Sequence, residues 1–172
     1  MIILDLNEIP DLIIIILRQN FICHHYIFII QLSKLTPAQH WTKRSAFDDN
    51  KSLWGGYVIQ SANTTAYFAG DTGYCQVFEE IGEAFPDITV ALIPIGAYLP
   101  RWFMNPQHIS PEEAVQVYKD LKCKNALAIH WLSFDLADDR GLEPVEELEF
   151  FKGEGENSGF LVRSVGESVD FR

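Results

Sequence analysis

Cysteine is scarce and wrongly placed for a structural role: Cys23, Cys75 and Cys123 are three, far apart, with no C-x-x-C. An odd, scattered set argues against a disulfide framework and against a cysteine-only zinc knuckle, and favours a reducing compartment. Positive charge is also short. Thirteen Lys and Arg against twenty-four Asp and Glu leave a formal net charge of −11, a field that repels a phosphate backbone, so no nucleic-acid partner is expected. No internal repeat is present, and no local metal motif of the H-E-x-x-H kind. Long apolar runs are missing too. Leu12–Leu17 and Phe21–Ile30 are broken by Arg18-Gln19-Asn20, and neither approaches the ~18 to 20 apolar residues of a membrane-spanning helix. A through-reading would bury Arg18, His24 and His25 in lipid. A secretory signal should open on basic residues, whereas this chain opens on Asp5, Glu8 and Asp11.

What is there suits one folded domain. The 172 residues are 48% hydrophobic and 22% charged, with enough Phe, Tyr and Trp to fill a core. Residues 1–34 stand apart as an atypical, isoleucine-rich segment. Their β-branched runs favour buried strands, and an exposed run of this kind would invite aggregation. A second reading makes the segment a substitute start joined to a longer protein. From 35 to 172 the punctuation is ordinary. Leu53–Gln60 and Thr65–Ala69, separated by Ser61-Ala62-Asn63-Thr64, predict a β-hairpin. Cys75–Ile81 predicts a short amphipathic helix stopped by Gly82, and Thr89–Ile95 a buried strand. Ser110-Pro111-Glu112-Glu113 is a capping box with proline at the first helical position, opening a helix to about Leu121. Ala126–Ile129 and Phe160–Val165 complete the strands. Strands alternating with helices define a mixed α/β domain. The acidic residues Glu112, Glu113 and Asp120 and the run Glu143–Glu149 are read as solvated surface.

Three donors suited to Zn²⁺ stand where strands run out: His40 in Gln39-His40-Trp41, Asp71 in Gly70-Asp71-Thr72-Gly73, and His130 in Ile129-His130-Trp131. Taken singly each has a plainer role, as a core or capping histidine or an Asp bonding its own turn. Taken in order they carry a resemblance. Thr36 to Trp41, Phe68 to Cys75, Phe78 to Gly82, Ile93 to Tyr98 with Pro100 to Met104, and Ala128 to Trp131 resemble the N-acyl-phosphatidylethanolamine-hydrolysing phospholipases D, a family of metallo-β-lactamase-fold zinc hydrolases. The likeness runs from Leu35 to Arg172, taking in Leu142-Glu143-Pro144. It implies the C-terminal half of an αββα sandwich whose complete site holds two zinc ions.

The same resemblance makes His40 and His130 metal ligands, Asp71 the carboxylate bridging both ions, and His108 a catalytic, substrate-contacting histidine that holds no metal. Gln39, Tyr98 and Trp102 fall with it as substrate-binding residues. It implies a phospholipase D reaction on N-acylated phosphatidylethanolamine, giving an N-acylethanolamine and phosphatidic acid, by a protein peripheral to the cytoplasmic face of intracellular membranes. The family's His-x-His-x-Asp-His motif, which supplies four further ligands, does not occur in this sequence. His24-His25-Tyr26 is no substitute. Two protein ligands per ion cannot hold a di-zinc site tightly, but one ion on His40, Asp71 and His130 is a three-ligand catalytic arrangement. A non-catalytic chain that binds lipid, pairs with another chain or forms a homodimer is the alternative. A third is a metal hydrolase for a small ester or lactone, since fold does not fix substrate. Tyr98 to Met104 is expected either to meet an acyl chain or lipid surface, or to plug the sandwich with Trp102 and Phe103.

Overall fold

A computed structural model describes residues 32–171 other than 154, 156 and 165; the runs Leu12–Leu17 and Phe21–Ile30 lie outside the described residues. Six strands are laid out in chain order: β1 (Leu32–Thr36), β2 (Gly56–Gln60), β3 (Thr65–Phe68), β4 (Val90–Pro94), β5 (Asn125–Ile129) and β6 (Phe160–Leu161). The first three pair antiparallel, with Val58 opposite Tyr67 in the β2–β3 hairpin, and β3 to β6 run parallel. Two reversals between β1 and β3 bring β1 into the same direction as the parallel strands. The chain therefore leaves β1, β3, β4 and β5 at one common edge, where loops can carry a site on a rigid frame.

Among the described residues four helices accompany the sheet: α1 (Val77–Ala84), α2 (Arg101–Met104), α3 (Pro111–Asp120) and α4 (Glu143–Lys152). Alternation along each strand sends Val58, Tyr67, Ala91, Ile93, Ala126, Ala128 and Phe160 to one face. There they form one buried cluster with Phe78 and Ile81 of α1, Val115 and Val117 of α3, and Leu148 of α4. The expected capping box is in place: Ser110 Oγ accepts from the Glu113 amide, and the Glu113 carboxylate accepts from the Ser110 amide.

Several sequence expectations need correction. Gly82 does not stop α1 but lies buried inside it. A Cβ there would stand 2.5 Å from the Asp120 carbonyl oxygen, so the glycine lets α1 approach α3. Gly82→Ala is expected to cost about 2 kcal/mol through overpacking, read as a lowered thermal midpoint. Asp120 is not solvated surface. It is buried, accepting from the Tyr74 hydroxyl at 2.7 Å and from the Gln116 amide at 2.7 Å. The run Glu143–Glu149 belongs to α4, whose buried Pro144 and Leu148 face the core. The last strand is shorter than Phe160–Val165: only Phe160 and Leu161 pair, with Ala126 and Leu127.

Candidate metal centre

His40, Asp71, His108 and His130 meet at the common edge. His40 follows β1, held by a bridge between Gln39 and Gly73 in which the Gly73 amide donates to the Gln39 carbonyl at 2.7 Å. Thr72 ties three loops together: its hydroxyl accepts from the Gln39 amide at 2.9 Å, and its carbonyl accepts from the Ile109 amide at 2.9 Å. The His40-bearing, Asp71-bearing and His108-bearing segments are thus fixed to one buried residue. Gln39 adds a bond from its side-chain amide to the Pro106 carbonyl, 2.8 Å away.

His130 sits one residue beyond β5 with φ 60°, the left-handed region that non-glycine residues seldom adopt. Its Nε2 lies 3.4 Å from Asp71 Oδ1. The rings of His40 and His108 are edge to face with centroids 5.1 Å apart, and those of His108 and His130 are 5.6 Å apart. Electrostatics follow the geometry. The hydrogen bond to His130 holds the Asp71 carboxyl below its ordinary range despite partial burial, and the same bond raises His130. Burial, reinforced by the neighbouring His40, pushes His108 down to about 4, so its imidazole is neutral at physiological pH.

The donor chemistry fits a metal ion at His40 in particular. Its Nδ1 lies 2.8 Å from the Trp41 carbonyl oxygen, a bond that fixes the proton on Nδ1, while its Nε2 is buried with no hydrogen-bond partner among the described residues. A histidine anchored to a backbone carbonyl through one nitrogen, with the other bare, is set as a metal ligand. The set is not closed: among the described residues no three His, Cys, Asp or Glu side chains stand together in metal-holding positions. Asp71 and His130 converge, and the His108 ring packs against those of both His40 and His130.

The remaining candidates divide. Trp102 is 84% exposed and Phe103 is also exposed, so the pair does not plug the sheet. Tyr98 is buried, and Glu147, Glu143 and Asp139 lie around its hydroxyl, which burial and these carboxylates push up in pKa. Two further residues shape the rim, Asp139, which the sequence does not single out, and Arg101, which it offers only as a phosphate partner. Asp139 accepts from the amides of Ala97 and Leu99, at 3.0 and 3.4 Å, pinning the loop after β4. Arg101 donates to the carbonyls of Tyr98 and His108, bonds Asn105, and pairs with Glu113 at 2.8 Å. The aromatic sequence around Arg101 gives no sign of that knot; only its pairing with the capping-box glutamate further along the chain reveals it. Arg101→Ala is expected to cost about 2 kcal/mol, since charge-assisted bonds at a half-buried site are lost together. A urea titration reads the loss.

Comparison with known proteins gives the family. Residues 28–131 match the beta-lactamase superfamily domain. An N-acyl-phosphatidylethanolamine-hydrolyzing phospholipase D 1 of Caenorhabditis elegans is 40% identical over 136 residues, covering 76% of this chain and 38% of that protein. A mitochondrial N-acyl-phosphatidylethanolamine-hydrolyzing phospholipase D of Saccharomyces cerevisiae is 44% identical over 117 residues, 66% of this chain and 25% of that one. The chain thus spans well under half the length of either relative. Among solved structures, the metallo hydrolase Igni18 of Ignicoccus hospitalis superposes with a TM-score of 0.56 at 27% identity, covering 81% of this chain and 53% of that one. With its strand-end histidines and aspartate gathered on one rim of a mixed α/β sheet, the chain belongs to the beta-lactamase superfamily and carries part of the metallo-β-lactamase fold of these hydrolases.

Proposed function

We propose that this chain carries one part of the site of a zinc-dependent phosphodiesterase of phospholipase D type, acting on N-acylated phosphatidylethanolamine. The observation that carries the reading is the buried, unpartnered Nε2 of His40 on the same rim as the Asp71–His130 pair. His40, Asp71 and His130 would hold the metal. When bound, zinc would supply a hydroxide at neutral pH and polarise a phosphoryl oxygen. His108, kept neutral by burial, offers a hydrogen bond to a substrate oxygen beside those ligands. Thr72, Gln39 and Arg101 do not touch the reacting atoms in this scheme; they hold the loops that present them.

The rim also suits a lipid. Trp41, Phe47, Leu53, Trp102, Phe103, Phe134 and Leu136 are all exposed on the connections that leave the site-bearing edge. Aromatic side chains settle at the head-group level of a bilayer, and such a collar would set the metal donors at the polar boundary of the substrate. No helix among the described residues is long and apolar enough to cross a membrane, so the contact proposed is peripheral. The cytoplasmic face of an intracellular membrane is the proposed place.

The incomplete donor set favours one competing reading, a chain that binds the phospholipid without turning it over. Two assays on the purified chain separate them: co-sedimentation with vesicles containing N-acylated phosphatidylethanolamine, and release of N-acylethanolamine with zinc present. Release that is lost in His130→Asn supports the hydrolase. Sedimentation without release supports the binding chain, and the absence of both rejects the lipid reading altogether. Hydrolysis of a soluble ester or lactone in preference to the phospholipid would move the substrate assignment.

A further inference from the structure

Residues 98–109 form one closed unit beyond the end of β4. The Pro100 carbonyl accepts from the amides of Phe103 and Met104, the Arg101 carbonyl from Asn105, and the Met104 carbonyl from Gln107 and His108. The turn of α2 is thereby carried on to His108, and the Ile109 amide fixes the end of the unit to the Thr72 carbonyl. On the outside, Trp102 and Phe103 stand in solvent with their ring centroids 5.7 Å apart. On the inside, the His108 ring packs between those of His40 and His130. Arg101 joins the two ends. Its backbone belongs to α2, next to Trp102, and its guanidinium reaches the His108 carbonyl at 2.9 Å. The Tyr98 carbonyl, the Asn105 side chain and the Glu113 carboxylate are its other acceptors. Two acceptors lie on each terminal nitrogen, which matches the N–H groups those nitrogens carry and leaves none of them for a lipid phosphate.

We propose that Arg101 is a positioning residue, through which α2, once seated on a lipid surface by Trp102 and Phe103, holds His108 in place among the metal donors. The inference rests on the lipid reading given above and adds how that surface acts on the site. Exposed aromatic side chains on a helix of one turn are weakly restrained in water, and settling at the head-group level restrains them. The guanidinium passes that restraint to the carbonyl of the histidine through short, directional, charge-assisted bonds. Glu113 supplies the fixed point: it pins the other side of the guanidinium to the start of α3, where it also closes the capping box. Lysine would keep the charge but not the planar fork that spans these four acceptors, so Arg101→Lys is the variant that uncouples the two ends.

Hydrogen exchange of the whole chain, followed by mass spectrometry with and without phosphatidylcholine vesicles containing N-acylated phosphatidylethanolamine, tests the coupling. The reporters are the amides of Gln107, His108 and Ile109, whose acceptors are the Met104 and Thr72 carbonyls. In the parent, vesicles are expected to slow exchange at all three by at least ~10-fold. In Arg101→Lys the chain should still sediment with the vesicles and still gain protection at Phe103–Asn105, but not at the three reporters. Trp102→Ser/Phe103→Ser should lose both sedimentation and the vesicle-dependent protection. Equal protection of the reporters in Arg101→Lys and the parent would overturn the role of Arg101. So would a parent chain that sediments with vesicles while its reporters exchange as before. A parent chain that does not sediment fails at the earlier step, the lipid reading itself, and removes this inference with it. Should Arg101→Lys not fold, Glu113→Gln is read in the same way, because glutamine preserves the capping box while removing the charge that anchors the guanidinium.

Discussion

Gly96→Ala is expected to lower stability by roughly 3 kcal/mol and to abolish metal retention, although Gly96 bears no ligating atom. The cause is the closeness of two strand ends. Ile95 donates its amide to the Ile129 carbonyl at 3.0 Å, and one residue further a Cβ on Gly96 would run into the His130 carbonyl oxygen, with Trp131 Cα 3.3 Å away. Backbone cannot be moved aside as a flexible side-chain tip can. The least costly escape is to displace His130, which already occupies a left-handed conformation at φ 60°. Such a shift breaks the 3.4 Å approach to Asp71. A thermal melt reads the first effect and elemental analysis the second. A stable Gly96→Ala chain that keeps its metal would show that the β4 and β5 ends do not fix the site.

His40→Ala should lose metal more severely than the ~10 to 100-fold that follows removal of a supporting hydrogen bond, yet barely alter folding. The side chain lies at the rim, and among the described residues its ring makes one hydrogen bond, to the Trp41 carbonyl next to it. Deleting it also removes a buried, unpartnered nitrogen, which offsets part of the packing lost against His108. His130→Asn is the matched test at the other end of the cluster. Asparagine tolerates positive φ, so the backbone at that position is preserved while the imidazole is removed. Metal affinity that falls in both variants, with denaturant midpoints near that of the parent, separates ligand loss from unfolding.

Much of this arrangement is legible in the amino-acid sequence. The β2–β3 hairpin follows from two β-branched and aromatic runs around a four-residue turn. The start of α3 follows from Ser110, Pro111 and Glu113, whose side-chain chemistry acts within three residues. His40, Asp71 and His130 are identifiable as donors at strand ends because the neighbours that mark those ends are local. That all three share an edge depends on the direction of β1, which two antiparallel turns set and no local pattern encodes. Gly82 misleads for a related reason. A glycine after an amphipathic turn resembles a helix stop, and only the approach of Asp120 from a distant part of the chain gives it a packing role. Asp120 looks like any acidic residue on a helix face until Tyr74 and Gln116 meet it in the fold, and the second role of Glu113, its pairing with Arg101, is equally hidden. His108 is placed at the site by resemblance. Its position between His40 and His130 is a matter of tertiary packing.

Zinc binding by the purified chain, measured by equilibrium dialysis with elemental analysis beside His40→Ala and His130→Asn, tests the metal centre most directly. The expected result is about one zinc per parent chain, as three protein ligands and water allow, and far less in either variant. No zinc on the parent chain, or equal zinc on all three, would contradict the assignment of His40, Asp71 and His130 as its ligands.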